Sequence, residues 1–289
     1  MRAALAFVVA GFAVAASALT PANNVQPWAP TPISSSQFES HPAFDPLNGD
    51  LYFVRSSPAF EGWRILRSRC KAGGWSEPVD AAFAGDGVEA DPYFSDGGRT
   101  LWFISTRTTD GVKRTDLDIW RVERDDKGRW QTPTRLPEPV NSPGQEWFPR
   151  PSADGWLYFG SDRAGGLGNT DIWRAREHDG EWTIENLGAA INTAKHEYEP
   201  LPSPDGKRLI VMGGDALYES RRGEDGWAPR TKLPPQVNVN GSEIGALFSP
   251  SGRSLMFARD LVGGQSGELF VWYERGDEAW PPRCAAKGR

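Results

Sequence analysis

The sequence predicts an all-β fold, a single propeller of five blades with four antiparallel strands each. Three observations carry this. Glu39, Glu89, Glu146, Glu197 and Glu243 open similar units at spacings of 50, 57, 51 and 46 residues. Each unit then runs through two apolar stretches joined by a tight turn, followed by a third strand-like stretch. Trp75, Trp130, Trp182, Trp227 and Trp280 come next at a common phase, where a fourth strand is expected to open. Periods of about 40–50 residues made of four short strands are what propeller blades show. A six-bladed ring with one degenerate blade is the alternative, and it needs about 40 further residues. The composition agrees, with 13 Trp, 14 Phe and 6 Tyr beside 32 Gly and 24 Pro. Aromatic side chains suit a pleated surface, and Gly and Pro punctuate it.

Residues 1–18 read as a secretory signal. Arg2 gives the positive start, Ala3 to Ala15 the apolar core, and Ala16-Ser17-Ala18 the small-x-small cleavage pattern. A retained membrane anchor is the alternative, since the apolar run approaches spanning length. Cleavage implies a periplasmic or secreted protein with no stable membrane span. Residues 19–38 form an extended lead-in containing Pro21, Pro27, Pro30 and Pro32. Within it Trp28-Ala29-Pro30-Thr31-Pro32 resembles the fourth-strand openings Trp75-Ser76-Glu77-Pro78 and Trp130-Gln131-Thr132-Pro133. It marks a possible outer strand supplied from the N-terminus, running as an extra strand near the seam. The propeller then occupies residues 39–284, and residues 285–289 are a tail.

The third unit shows the strand pattern most clearly. Glu146-Trp147-Phe148-Pro149-Arg150-Pro151 is the expected inner strand, with prolines near its ends, where a missing N–H is tolerated. Asp154-Gly155 turns the chain into the apolar strand Trp156-Leu157-Tyr158-Phe159, because Asp-Gly between apolar runs is a strong hairpin signal. Asp171-Ile172-Trp173-Arg174-Ala175-Arg176 alternates and reads as a half-buried third strand. The Trp that recurs in every unit is expected to pack the outer apolar layer.

Three stretches carry a family resemblance. Ser161-Asp162-Arg163-Ala164-Gly165-Gly166-Leu167-Gly168-Asn169-Thr170-Asp171-Ile172-Trp173, Ser203-Pro204-Asp205-Gly206-Lys207-Arg208-Leu209 and Ile191-Asn192-Thr193-Ala194-Lys195-His196-Glu197-Tyr198-Glu199-Pro200 resemble the WD40-like propeller repeat called PD40. That repeat occurs in TolB-related bacterial envelope proteins. The resemblance covers roughly residues 39–280 and is strongest in units two to four. It implies the propeller fold and an envelope setting, and it supplies no catalytic residues.

Cys70 falls in the first unit and Cys284 after the last. The two end units are neighbours in a closed ring, and export permits disulfides, so a bond across the seam is expected.

Thirty-two Lys+Arg against 38 Asp+Glu leave a formal charge of −6. A nucleic-acid partner calls for a concentrated basic face, which this chain lacks. The repeated Glu is the feature most like a site. Glu89, Glu146, Glu197 and Glu243 would form a carboxylate rim around the axial channel, able to attract a cation or a basic peptide. The competing reading is structural, with each Glu held by backbone N–H groups or by Arg107 and Arg163. Asn141, Asn192 and Asn238, five residues before their Glu, fit the structural reading as caps of the blade connections. His196, beside Glu197 and Glu199, is a candidate base. Asp162, Asn169 and Asp171 offer oxygen ligands near Gly165-Gly166, but their spacing matches no calcium loop, and no cofactor is expected. There is no Gly-x-Ser-x-Gly elbow and no phosphate-binding glycine loop. The expectation is therefore a monomeric, exported scaffold that binds a protein, a peptide or an envelope glycan without catalysis. The alternative is a carboxylate-dependent glycoside hydrolase or lyase, which needs two carboxylates about 5–9 Å apart in a cleft.

Overall fold

Alternating and fully apolar strand segments fold here into five antiparallel sheets arranged as the blades of one propeller. The computed structural model describes residues 24–261, 267–273 and 279–284. Blade one is built from Phe38–Phe44, Leu51–Ser56, Arg64–Ser68 and Val79–Asp80, and blade two from Glu89–Ser95, Thr100–Ser105, Asp118–Glu123 and Thr134–Arg135. Blade three uses Glu146–Pro151, Leu157–Ser161, Asp171–His178 and Glu181–Asn186. Blade four uses Tyr198–Pro202, Arg208–Met212, Leu217–Gly223 and Thr231–Lys232, with Gly226–Trp227 added beside its third strand. Blade five takes Ile244–Phe248, Ser254–Asp260 and Gly267–Tyr273 from the end of the chain, and its fourth strand, Val25–Pro27, from the beginning.

That last strand corrects one expectation. Val25, Gln26 and Pro27 pair with Trp272, Val271 and Phe270, so the N-terminal segment is the missing outer strand of blade five and not a supernumerary one. A closed ring has no free edge at its seam, and the first-to-last pairing supplies the closure. The ends are joined a second time by a disulfide between Cys70 and Cys284, with Cα atoms 5.1 Å apart. Trp280 is buried and packs edge-on against Phe44 of blade one, ring centroids 6.0 Å apart. It opens no strand among the described residues. The expected signal segment, residues 1–18, and the tail, residues 285–289, lie outside the described residues. Among the described residues no helix is long and apolar enough to cross a membrane.

The recurring Trp also stands elsewhere than expected. Among the described residues only Trp182 of these five sits within a fourth strand. Trp75 and Trp227 belong to two-residue hairpin strands, and Trp130 makes an isolated bridge to Arg124, each short of the fourth strand of its blade. Trp130 packs toward the preceding blade, where its Nε1 donates to the Tyr52 hydroxyl at 3.1 Å. Arg124 lies 4.1 Å from the same ring and pairs with the buried Asp45 of blade one. The Trp therefore joins blades as well as covering the outer layer. Burying rings of this size is worth a few kcal/mol each.

The second strands form the core. Leu51, Phe53, Val54, Leu101, Phe103, Ile104, Phe159, Leu209, Ile210, Val211 and Phe257 are wholly buried. Each second strand is sandwiched between neighbouring blades, which explains why these segments read as continuous apolar runs and do not alternate.

Candidate functional site: the propeller axis

The register of the inner strands decides what reaches the axis. All five carry an irregularity just after the repeated Glu, between Ser40 and Ala43, Ala90 and Tyr93, Trp147 and Arg150, Tyr198 and Leu201, and Ile244 and Leu247. An extra residue in one strand bends it and re-aims a side chain. The re-aimed positions are His41, Asp91, Phe148, Glu199 and Gly245, all with positive φ, at 48°, 60°, 54°, 55° and 65°. Four of these are not glycine. Backbone in this region costs about 1–3 kcal/mol per residue and collects at functional sites.

These five residues meet one another. His41 Nε2 lies 3.5 Å from Asp91 Oδ1 and 3.7 Å from Glu199 Oε1. Blades one, two and four can converge in this way only on the axis. The Phe148 N–H donates to Asp91 Oδ2 at 2.9 Å, and the Gly245 N–H donates to Glu199 Oε2 at 2.6 Å. The His41 ring stacks on Phe148, centroids 5.3 Å apart. Its Nδ1 is 2.8 Å from Ser40 Oγ, while Nε2 is buried without a hydrogen-bond partner. Below the cluster the buried Arg150 donates through Nη1 to the carbonyls of Asp91 and Pro149, each at 3.1 Å. Burial pushes the Asp91 carboxyl up to about 6, against the attraction of His41 and Arg150.

A cavity of about 580 Å³ opens over this cluster. His41, Phe148 and Glu199 form part of its floor, and Phe60, Trp63, Trp147, Tyr198 and Ile244 form its apolar walls. Asp162, Asn169, Thr170 and His196 add polar groups. A narrow cleft of about 30 Å³, shared with the same aromatic residues, leads to Asp91. The walls are fixed by local bonds: Trp63 Nε1 donates to the Phe60 carbonyl at 2.7 Å, and Phe60 packs on Phe38 at 5.0 Å. The size falls within the range of small-ligand sites.

The repeated Glu residues lie elsewhere. Glu39, Glu89, Glu146, Glu197 and Glu243 are at most 1% exposed, and none lines the axial cavity. Each is held by the backbone N–H four residues earlier, from Ser35, Gly85, Ser142, Thr193 and Val239. Each also pairs with an arginine: Arg55, Arg107, Arg163, Arg230 and Arg259 respectively. Arg107 and Arg259 reach on to the carbonyls of Phe83 and Val237, tying the connection between blades to the strand that follows it. Burial pushes the Glu39 and Glu146 carboxyls up and holds the Arg163 guanidinium below its ordinary range. Asn141 and Asn238 are used in the same architecture: Asn141 Oδ1 accepts from the Ile119 N–H at 2.7 Å, and Asn238 Oδ1 from the Leu217 N–H at 2.8 Å.

The expected carboxylate rim is therefore a set of enclosed clamps, because a charged group beside a blade connection is most stable when the connection's own N–H groups and an arginine satisfy it. Of the expected rim residues His196 reaches the cavity, as do Asp162 and Asn169 of the oxygen ligands considered for calcium. His196 is exposed on the wall, with Nδ1 3.2 Å from Thr170 Oγ1 and Nε2 3.2 Å from Asn169 Nδ2. The oxygen ligands considered for calcium have other partners. Asp171 accepts from the Gly168 N–H and from Asn186 Nδ2, and Asp162 from the Gln145 N–H. No group of three or more metal-ligating side chains occurs among the described residues.

Asp91, Glu199 and the axial role of His41 escaped the sequence reading. The signal was present. In units one to four the pattern is Glu-x-x-Pro, and the residue before Pro changes from His to Asp to Phe to Glu. A position that varies inside an otherwise constant repeat cannot be doing the framework's work.

No protein-family model matches the chain, and no curated protein matches it. Solved structures do. A family 117 glycoside hydrolase from the marine bacterium Zobellia galactanivorans is 10% identical, with 92% of this chain and 91% of that chain covered and a TM-score of 0.52. A protein assigned as TolB from Agrobacterium tumefaciens is 20% identical over 78% of this chain and 70% of that one, TM-score 0.49. An α-L-arabinanase from Penicillium chrysogenum, determined with arabinobiose, is 14% identical over 83% and 76%, TM-score 0.48. The chain is a five-bladed β-propeller similar in architecture to these proteins, and the likeness is one of fold.

Proposed function

We propose that the chain is an exported, carbohydrate-active propeller that takes a glycan into the axial cavity, with Glu199 and Asp91 as the carboxylates that act on it. One observation carries the reading. Two carboxylates from different blades converge with a histidine beneath an aromatic-walled cavity of about 580 Å³. Each sits within 3.7 Å of His41 Nε2, so their facing oxygens are no more than about 7 Å apart and do not exceed the separations of about 5–9.5 Å used by glycosidase pairs. Asp91, pushed up to about 6, suits a proton donor near neutral pH. Glu199, positioned by the Gly245 N–H, is the second carboxyl group of the pair. The aromatic walls offer flat apolar faces to sugar rings. The fold neighbour from Zobellia galactanivorans, named as a glycoside hydrolase, is consistent with this reading.

A second reading, glycan binding without turnover, is favoured by the burial of both carboxylates. Asp91 is 1% and Glu199 4% exposed, and each is bonded to a backbone N–H of a neighbouring blade. Reducing-end release from a panel of polysaccharides, run beside calorimetric binding to the same panel, separates the two. Turnover that falls about 10²–10⁴-fold in Glu199→Gln, with the fold intact, supports the enzyme. Binding with no turnover supports the second reading, and neither binding nor turnover overturns both.

A further inference from the structure

We propose that the axial cluster recognises the protonated amine of an amino sugar, an inference that rests on the glycan reading of the cavity. Polar groups from three blades come together here, with Asp91 Oδ1 and Glu199 Oε1 both approaching His41 Nε2. Their separations of 3.5 and 3.7 Å from Nε2 are too long for direct hydrogen bonds, and Nε2, on a side chain only 3% exposed, has no partner. Nδ1 lies 2.8 Å from Ser40 Oγ, which leaves Nε2 as the ring nitrogen turned to the two carboxyl groups. An ammonium group carries three donors and no acceptor, which matches the two carboxyl groups and the ring nitrogen gathered here. A hydroxyl brings one donor and two acceptor lone pairs, and the lone pairs would meet other acceptors here.

The surroundings point the same way. Among the described residues no Lys or Arg lines the cavity. Arg150 lies beneath it with Nη1 turned to backbone carbonyls, so the floor offers carboxyl groups and no guanidinium. Uronate and sulfated sugars find no guanidinium partner on such a floor. His41 stacks on Phe148 and Phe148 on Tyr198, centroids 5.3 and 6.1 Å apart, and all three residues line the same cavity. A lysine side chain would present the same ammonium on a slender stem, whereas the broad cavity walled by Trp63, Trp147 and Tyr198 fits a ring. Asn169, Thr170 and His196 supply donors and acceptors for ring hydroxyls.

The test is calorimetric titration of the full chain with a glucosamine trimer, its fully N-acetylated counterpart and a trilysine peptide. The glucosamine trimer is expected to bind at least about tenfold more tightly than the acetylated one. That preference is expected to collapse in Glu199→Gln. Trp63→Ala is expected to weaken both trimers equally and leave the preference unchanged. Equal affinity of the wild type for both trimers overturns amine recognition and leaves the glycan reading standing. Binding of trilysine with neither trimer bound overturns both.

Discussion

His41 of blade one faces Glu199 of blade four across the axis, Nε2 to Oε1 3.7 Å, while Asp91 of blade two approaches the same nitrogen at 3.5 Å. Blades one and four are not neighbours in the ring, so this contact exists only because every inner strand carries a left-handed residue at the same place. The axis is thus the one region where chemistry from all five repeats can be combined.

Asp91 makes stability depend on pH in an unusual direction. Burial raises its carboxyl from 3.8 to about 6, so the folded state holds that proton more tightly than the unfolded chain. Its contribution is fully present below the ordinary value and is lost as the pH rises through about 6. Relative to Asp91→Asn, which does not titrate, the wild type is expected to lose up to about 3 kcal/mol between pH 4 and pH 7. Urea unfolding of both proteins across that range measures it, and a constant difference would refute the assignment.

The Glu–Arg clamps are expected to matter for folding and not for ligand. Arg107→Leu strands the buried Glu89 carboxylate, and breaking one side of such a pair costs about 3–5 kcal/mol. The double variant with Glu89→Leu is expected to recover part of that loss. Ligand affinity, measured where each variant is still folded, is expected to stay within about twofold of wild type. A tenfold loss of affinity in folded Arg107→Leu would return the clamp to the binding site.

Gly245 is where the axis is tightest. Its φ is +65°, and a Cβ there would sit 2.5 Å from the His41 backbone nitrogen. Gly245→Ala combines left-handed strain with a clash against backbone, and a loss of about 2–4 kcal/mol is expected. Ligand binding is expected to fall as well, because the displaced strand carries His41. Thermal unfolding and titration of the same preparation check both halves.

The disulfide closes a loop with a sequence separation of 214. Cys284→Ser is expected to lower stability by about 2–4 kcal/mol, chiefly by freeing the unfolded chain. Unfolding of both proteins with and without reductant measures this, and wild type and variant should coincide once reduced. Thiol titration of the denatured, unreduced wild type is expected to find no free thiol.

The blades were legible because their signals are local. Asp154-Gly155, the apolar run after it and the alternating Asp171–His178 strand depend on near neighbours in sequence. The outer strands were harder, since Val79–Asp80, Thr134–Arg135 and Thr231–Lys232 are two-residue ladders held by their blades and not by a pattern of their own. The site was hardest. Sameness drew attention to Glu89, Glu146, Glu197 and Glu243, whereas convergence of His41, Asp91 and Glu199 depends on a bulge and on ring closure, neither of which a linear pattern records.

The pairing of Val25–Pro27 with Gly267–Tyr273 sets a timetable for the chain. Blades one to four are each made from one continuous stretch and can form in order as they emerge. The fifth cannot finish, because its outermost strand is the earliest segment and its partner is among the latest. Until the two meet, Gly267–Tyr273 presents an unpaired edge, and such edges invite pairing with other molecules. Two copies caught at that stage could exchange N-terminal strands, each completing the other's ring, so dilute refolding favours the monomer and crowded refolding favours the swapped pair.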